Sequence, residues 1–378
     1  MSSLRGWAVA SLLFVSVLVP LSLAGPASAG RVQAASISVG GAGVLRFRSA
    51  TGLDDDVSIV SFGPHRLSVH SRQPLEAGRR CHEATPGEKQ LPYLVRCRGV
   101  AALDVALRDG SDTLSVSKIL FLHGSYRVGA GNDTVYGGGG AEHLVGGSGE
   151  DSLFGGIGND VVSGGAGDDV VVGGRRLRPA RDGDDRLRGG PGSDLLRGGE
   201  GDDALEGDDG DDRLDGGTGN DHFVGERGAD VVIPSTGVNT IDYSARTVGV
   251  SLTDDGVAND GAPGEGDDIE RGFHLVIAGS GDDTVAMSEH PVVIMGNGGD
   301  DDLRLMGNGG IYGGPGDDTL TKSGAFPARV RGEAGDDHLV TNDASADTDA
   351  CGPGQDDVTA TRATPSTPTA RTSRRPEP

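Results

Sequence analysis

Acidic side chains recur at every ninth residue over a long stretch of this chain. From Val128 to Val232 the sequence falls into nonapeptides of the form G-G-x-G-x-D-x-U-x, where U is a large apolar residue. The turns offer carboxylate and backbone carbonyl oxygens, and they contain neither cysteine nor histidine. Hard oxygen donors in a flexible loop suit Ca²⁺ better than zinc, a transition metal or Mg²⁺, which needs strict octahedral geometry. The pattern therefore predicts binding of several Ca²⁺ ions.

The predicted calcium ligands are the acids at the sixth position of each repeat. In the first block these are Asp133, Glu142, Asp151, Asp160, Asp169, Asp185, Asp194, Asp203, Asp212, Asp221 and Asp230. A second, looser block supplies Asp283, Asp301, Asp318, Asp337 and Asp356. The eighth position of the first block is apolar in every repeat. Neither chance nor a bias toward glycine would keep both an acidic sixth position and an apolar eighth position over so many repeats. A disordered acidic linker is the alternative, and the apolar column argues against it.

The repeat also predicts how the chain positions these acids. The three residues x-U-x form a minimal strand, and GGxGxD forms a turn in which glycine adopts backbone angles closed to other residues. Two nonapeptides then close one turn of a flattened coil, so that residues eighteen apart stack in neighbouring coils. The sequence predicts an all-β fold, a right-handed parallel β-roll (solenoid), in which bound ions supply folding energy that the thin core lacks.

These nonapeptides resemble the RTX (repeats-in-toxin) family, whose repeats form a parallel β-roll with Ca²⁺ in its turns. The resemblance is close over residues 128–233 and looser over 277–359, and it implies that the sixth-position acids and turn carbonyls ligate calcium. The IDYS spacer and the terminal CGPG are similar to those of secreted calcium-binding RTX proteins of GC-rich bacteria. Three residues depart from the family pattern, since Glu142 replaces aspartate and Asp208 and Glu226 replace the second glycine.

The composition is unusual for a protein with an ordinary core. The 378 residues include 67 glycines and only 4% aromatic residues, and the formal net charge is −24. Low hydrophobicity with high net charge is typical of a chain that stays disordered unless its charge is neutralised. We therefore expect folding to be coupled to calcium binding. So acidic a chain is also a poor partner for nucleic acid.

The second block differs from the first in its acid spacing. Its sixth-position aspartates are 18, 17, 19 and 19 residues apart, whereas its apolar residues continue at about every ninth position. The sequence thus predicts a two-edged calcium roll at 109–238 and a one-edged calcium roll at 277–359. An interrupting β segment at 239–276 carries an acidic loop, interpreted either as an extra Ca²⁺ site or as a solvated loop. Its acids are Asp254, Asp255, Asp260, Asp267 and Asp268.

The two ends of the chain have their own signals. Arg5, an apolar run to Leu23 and an A-x-A site at 27–29 predict a signal peptide over 1–29 and a secreted, extracellular protein without a membrane span. Residues 30–108 predict a small all-β cap domain. Cys81 and Cys97 are expected to form a disulfide worth roughly 3 kcal/mol, which leaves Cys351 without a partner. Residues 360–378 predict a disordered tail rich in Thr, Pro and Arg.

No catalytic motif is evident, since neither HExxH nor GxSxG occurs. The chain is therefore predicted not to be an enzyme. The alternative is a carbohydrate-active enzyme on a parallel β-helix-like scaffold, which would need basic and aromatic residues converging in a groove. The arginine-rich insertion at 175–181 is interpreted as an exposed loop, as a binding site for an acidic cell-wall or other extracellular polymer, or as a processing site. Surface or matrix structure, adhesion and calcium buffering all remain open as roles.

Overall fold

The fold consists of β-strands throughout the part of the chain that the structure describes. This computed structural model describes residues 35–49, 54–63, 65–83, 93–117, 121–174, 183–288, 291–341 and 347–360. The predicted signal peptide, arginine-rich insertion and tail beyond residue 360 lie outside these residues. Within them there is no helix, and the strands form a parallel β-solenoid of about 13 turns, so the predicted all-β roll is confirmed.

Thirty-four strands make up the described chain. The strands up to the first regular repeats are β1 Ala35–Val39, β2 Val44–Arg48, β3 Asp56–Gly63, β4 Arg66–Ser71, β5 Leu75–Ala77, β6 Cys81–Glu83, β7 Tyr93–Arg98, β8 Ala102–Asp109, β9 Thr113–Val116 and β10 His123–Ala130. The first repeat block contributes β11 Thr134–Tyr136, β12 Glu142–Ser148, β13 Ser152–Gly156, β14 Val161–Ala166, β15 Val170–Gly174, β16 Arg186–Arg188, β17 Leu195–Glu200, β18 Ala204–Glu206, β19 Arg213–Thr218, β20 His222–Val224 and β21 Val231–Ile233. The remaining strands are β22 Asn239–Asp242, β23 Ser251–Thr253, β24 Asp268–Ile269, β25 Phe273–Ile277, β26 Thr284–Met287, β27 Val292–Met295, β28 Asp302–Leu305, β29 Gly309–Pro315, β30 Thr319–Lys322, β31 Ala328–Ala334, β32 His338–Thr341, β33 Thr348–Ala350 and β34 Asp357–Ala360.

Successive strands of the roll alternate between sheets on its two faces. One face is a sheet of 16 strands that runs from β5 and β1 at one end to β33 at the other. The opposite face is a 12-stranded sheet that ends at β24, followed by a 6-stranded sheet from β23 to β34. The break between these two sheets falls in the segment that interrupts the repeat in the sequence. The segments predicted as two rolls therefore share one continuous sheet.

The register of the strands follows the repeat length. Thr134 of β11 pairs with Ser152 of β13, eighteen residues later, whereas Val161 of β14 pairs with Arg186 of β16 across the insertion. Inside, the eighth-position side chains of the first block stack into a core column, and each is at most 2% exposed. They are Val135, Leu144, Leu153, Val162, Val171, Leu187, Leu196, Leu205, Leu214, Phe223 and Val232.

The strands before the repeats extend the roll. β2 runs parallel to β8 in the large sheet, and β3 runs parallel to β9 in the 12-stranded sheet. Antiparallel pairs involving β4, β6 and β7 then close this end of the 12-stranded sheet. Cys81 and Cys97 form a disulfide between β6 and β7, and Cys351 is half-buried without one. The terminal hairpins thus cover sheet edges that would otherwise expose unpaired backbone groups.

Two glycines of each regular turn are required by its geometry. Gly147 and Gly149, at the second and fourth positions, have φ angles of 139° and 123°. A Cβ at either position would overlap the carbonyl of its counterpart in the preceding coil, Gly129 or Gly131. Asp208, which replaces a second-position glycine, also adopts a positive φ, 73°. Its turn still forms, so this departure from the repeat does not break the coil.

The acidic loop of the interrupting segment is folded back on itself. Asp254 is 7% exposed and accepts hydrogen bonds from the backbone N–H and the hydroxyl of Ser288. Asp260 is 2% exposed and accepts from Thr253 through both backbone and hydroxyl, and from the N–H of Ile269. Protein donors therefore occupy the oxygens of these two acids, in contrast to the acids of the repeats described below.

Candidate metal centre

A continuous row of buried acids follows the turns that lead from the 16-stranded sheet to the opposite face. This first column consists of Asp55, Asp112, Asp133, Asp151, Asp169, Asp194, Asp212, Asp230 and Asp267, each at most 3% exposed. From Asp112 onward, each Oδ1 accepts a hydrogen bond from the backbone N–H of the preceding member, at 2.7–3.0 Å. The backbone of one coil thus fixes the carboxylates of the next.

Two further columns repeat this arrangement. The second column lies on the other edge of the first roll and consists of Glu142, Asp160, Asp185, Asp203, Asp221 and the amide Asn239, linked at 2.7–3.0 Å. The third column lies in the second roll, on the same side as the first, and consists of Asp283, Asp301, Asp318, Asp337 and Asp356, linked at 2.8–3.1 Å. The structure thus brings the sequence-predicted acids together in three rows.

The second carboxylate oxygen of most interior acids has no protein partner in the described part of the chain. It is buried without a hydrogen-bond partner among the described residues, which holds for Asp112, Asp133, Asp151, Asp169, Asp194, Asp212, Asp221, Asp301, Asp318 and Asp337. An uncompensated buried charge costs roughly several kcal/mol. A regular series of such oxygens is therefore unfavourable unless a cation or a proton neutralises it.

Backbone carbonyls face the same space as these oxygens. A Cβ on Gly146, the first glycine of its turn, would overlap both Asp151 Oδ2 and the carbonyl oxygen of Gly164 in the next coil. The same relation holds at Gly296, beside Asp301 Oδ2 and the Gly313 carbonyl. Carboxylate and carbonyl oxygens converging on a cradle that lacks side chains form a donor set suited to Ca²⁺.

The repeat sequences match a known family at these turns. A family model described as the RTX calcium-binding nonapeptide repeat, in four copies, matches residues 126–153, 145–175, 180–214, 206–241 and 311–321. These segments are RTX calcium-binding repeats. No curated protein matches the chain. The resemblance inferred from the sequence is therefore confirmed.

The acid columns extend beyond the glycine-rich turns that are recognisable as repeats in the sequence. Asp55, Asp112 and Asp267 belong to the first column, although their surroundings lack the GGxGxD pattern. Asp347 accepts from Ala328 on the otherwise acid-poor edge of the second roll. At each of the three first-column positions the triad D-x-U is retained, with Val57, Leu114 or Ile269 as the apolar residue. That triad is the signal that could have identified them.

Protein groups contact several of the acid oxygens at the ends of the columns. Ser49 Oγ donates to Asp55 Oδ2, and Tyr243 Oη donates to Asp267 Oδ2 at 2.7 Å. In the third column, Asp283 begins the row with both oxygens occupied, by the N–H groups of Val250 and Gly279 at 2.7 and 2.8 Å. The neutral Asn239 ends the second column. Among the first members of the columns, Asp55 Oδ1 and Glu142 Oε1 are nevertheless buried without a partner in the described part of the chain.

A second ladder runs along the outside of the same RTX turns, at the fifth position. Asp184 Oδ1 accepts from the N–H of Asp202, and Asp202 Oδ1 accepts from Asn220, at 3.0 and 2.7 Å. Here the acceptor lies in the earlier coil, whereas in the buried columns it lies in the later one. These side chains are exposed, so water solvates their charge. This ladder was not anticipated from the sequence.

Burial raises the pKa values of interior acids of the columns in the metal-free fold. Desolvation is the largest cause, backbone hydrogen bonds oppose it, and neighbouring carboxylates add to it. The pKa is raised to about 7 for Asp112, Asp151, Asp194, Asp301 and Asp318, and to about 8 for Asp230. Without a metal ion, the interior of these RTX columns therefore retains protons near neutral pH.

We expect acid to promote folding of the metal-free chain. A folded-state pKa above the unfolded value contributes stability that is present below about pH 4 and is lost as pH rises through about 6–8. In chelator, the far-UV circular dichroism spectrum should therefore gain β character as pH is lowered from about 8 to about 4. With excess calcium the trend should reverse, because protons compete with the ion. Equal β content in chelator at both pH values would contradict this expectation.

One surface cleft lies beside the RTX turns. Its volume is about 850 Å³, and its lining includes Arg188, Arg227 and Arg246 but no aromatic side chain among the described residues. Arg188 pairs with Asp208, and Arg246 pairs with Glu265 at 2.5 Å. The convergence of basic and aromatic residues that the enzyme alternative would require is not found in this lining. No helix of the described chain is long and apolar enough to cross a membrane.

Proposed function

We propose that this calcium-binding RTX protein is secreted and holds multiple Ca²⁺ ions in its turns, with the column acids as ligands. The observation that carries the proposal is the series of buried carboxylate oxygens that face turn carbonyls and have no partner within the described ranges. Ca²⁺ takes six to eight oxygen ligands in flexible geometry, which two neighbouring coils can supply together. Each ion would neutralise acids from adjacent coils and so join those coils.

The two rolls would differ in the number of calcium-binding edges. The first roll has an acid column on each edge, whereas in the second roll only the third column forms a regular row. On the opposite edge of the second roll, the fully buried Lys322 donates through Nζ to the carbonyls of Ser323 and Gly324, at 2.8 and 3.4 Å. An ammonium group there supplies positive charge from the protein itself. We therefore propose calcium along both edges of the first roll and one edge of the second.

Secretion and calcium-dependent folding complete the proposal. The signal-peptide pattern at 1–29 supports export, and the disulfide between Cys81 and Cys97 is of the kind that persists in oxidising compartments. Extracellular calcium would then supply the folding energy after export. A role in surface or matrix structure, adhesion or calcium buffering is compatible with such a protein.

Asp301→Asn tests the assignment of the column acids as ligands. The variant keeps an oxygen that can accept from the N–H of Asp283 but loses the buried negative charge. The neighbouring Asp302→Asn is the matched control, because Asp302 pairs with Arg304 on the surface. Calorimetric titration of the full-length protein should show that Asp301→Asn binds about one Ca²⁺ fewer per chain and that Asp302→Asn binds as the parent does. Equal calcium content in both variants would refute the assignment.

A further inference from the structure

The second column begins differently from the others. In the register of β10 and β12, Gly124 lies opposite Glu142, so the coil before Glu142 has no acid at the column position. Tyr126, two residues further on, is 1% exposed. A Cβ on Gly124 would overlap the hydroxyl of Tyr126. The Tyr126 side chain therefore folds back over Gly124, and its oxygen lies where the missing carboxylate would have been.

Glu142 also departs from the aspartates of the column. Its Oε2 accepts a hydrogen bond from the backbone N–H of Gly138, at 3.2 Å, within its own turn. Its Oε1 lies toward the preceding coil, because a Cβ on Gly140 would meet both Glu142 Oε1 and the carbonyl oxygen of Leu122. In the regular turns, by contrast, Oδ2 of the sixth-position aspartate lies beside the first glycine of the turn. The extra methylene of glutamate thus places Oε1 beside the preceding coil, while the carboxylate still interacts with Asp160 in the next one.

Two polar atoms at this position are buried without a partner among the described residues. They are Tyr126 Oη and Glu142 Oε1. Leaving a hydroxyl and a carboxylate oxygen buried and unpaired is unfavourable. Native proteins rarely leave such groups unsatisfied, and a bound ion or water is the usual explanation. The Leu122 carbonyl adds a third oxygen on the same side of Glu142.

We propose that Tyr126 Oη, Glu142 Oε1 and the Leu122 carbonyl form a terminal Ca²⁺ site at the start of the second column. This inference rests on the proposed calcium binding of the repeats, but its ligand set differs from theirs. A phenol replaces one of the two carboxylates, so the site carries one negative charge fewer than a site between two aspartates. Since ligand charge tunes calcium affinity, this terminal site is the weaker one and fills after the interior of the column.

The phenol oxygen provides a direct probe of this site. Terbium replaces calcium in oxygen-ligand sites, and a tyrosine that contacts the ion transfers excitation energy to it most efficiently. The full-length protein is loaded with Tb³⁺ and excited at the tyrosine band, and the parent is compared with Tyr126→Phe. Tyr136→Phe is the control, because Tyr136 is 39% exposed and stacks on Phe154 outside the roll. Tyr126→Phe should lose more sensitised emission than Tyr136→Phe and should bind about one Ca²⁺ fewer per chain.

A second variant and the calcium count make the outcomes distinct. Glu142→Gln removes the charge of the same site and should reproduce the lost ion while Tyr126 is still present. If Tyr126→Phe and Tyr136→Phe retain equal calcium and equal emission, the hydroxyl contacts a buried water and the terminal site is wrong. If the parent itself binds neither Tb³⁺ nor Ca²⁺, the proposed function fails, and the terminal site with it. Loss of the ion in both site variants, with the control unchanged, supports the proposal.

Discussion

Chelation of calcium from the full-length protein is expected to convert most of its β-sheet circular dichroism into that of coil at neutral pH. Twelve column acids have a buried oxygen without a partner among the described residues. The cost of an uncompensated buried charge is of order several kcal/mol, whereas the whole stability of a domain is about 5–15 kcal/mol. Without a cation, ionised columns therefore cannot be retained in the folded roll. Spectra in chelator and in millimolar Ca²⁺ provide the measurement.

Magnesium is the control for this experiment. It prefers a smaller octahedral shell and keeps its waters, so it should restore much less β structure than calcium at the same concentration. Full recovery with magnesium would indicate simple screening of the negative charge rather than coordination. A β spectrum that survives chelation unchanged at neutral pH would contradict calcium-coupled folding altogether.

Gly165→Ala is expected to destabilise the calcium-loaded protein by more than about 3 kcal/mol. Gly165 is a second-position glycine with φ of 124°, and a Cβ there would overlap the carbonyl of Gly147 in the preceding coil. Both the backbone angle and the contact resist any side chain, because the atoms in the way belong to rigid backbone. Urea unfolding in saturating calcium, followed by circular dichroism, gives the free energy of unfolding.

Gly41→Ala is the matched control for that substitution. Gly41 is exposed, and a Cβ at this position would have no heavy atom within 4 Å. Its free energy of unfolding should stay within about 0.5 kcal/mol of the parent, as is usual for surface substitutions. If both variants unfold at the same urea concentration, the stacked-glycine geometry does not govern the stability of the roll.

The periodic part of this fold was predictable because each coil repeats the same local solution. An acid, a short strand and an apolar side chain recur at fixed positions, so the pairing of Thr134 with Ser152 follows from the repeat length alone. Even the insertion at 175–181 only increases the number of residues between paired positions. The backbone N–H of Asp160 still donates a hydrogen bond to the carboxylate of Asp185. The position of the acids in rows therefore follows from counting residues.

The ends of the columns could not be predicted in this way, because they depend on contacts without a period. Asp55 and Asp112 are 57 residues apart, since the hairpins of β4, β6 and β7 are inserted between two consecutive coils. Tyr243 meets Asp267 only because the interrupting segment folds back onto the first column. A hydroxyl becomes the hydrogen-bond partner of an acid at a column end only through tertiary contacts. The pattern of residues in the sequence does not indicate such a contact.

The direction of the buried ladder has a consequence for how the roll grows. Each coil donates its backbone N–H to a carboxylate of the following coil, so a coil is completed only when the next one is in place. A solenoid of this kind behaves as a one-dimensional lattice with nearest-neighbour coupling. The hairpin-covered amino-terminal end can therefore act as the nucleus, and elongation can proceed one coil at a time. A chain stopped early would leave incomplete only the single coil at its growing tip.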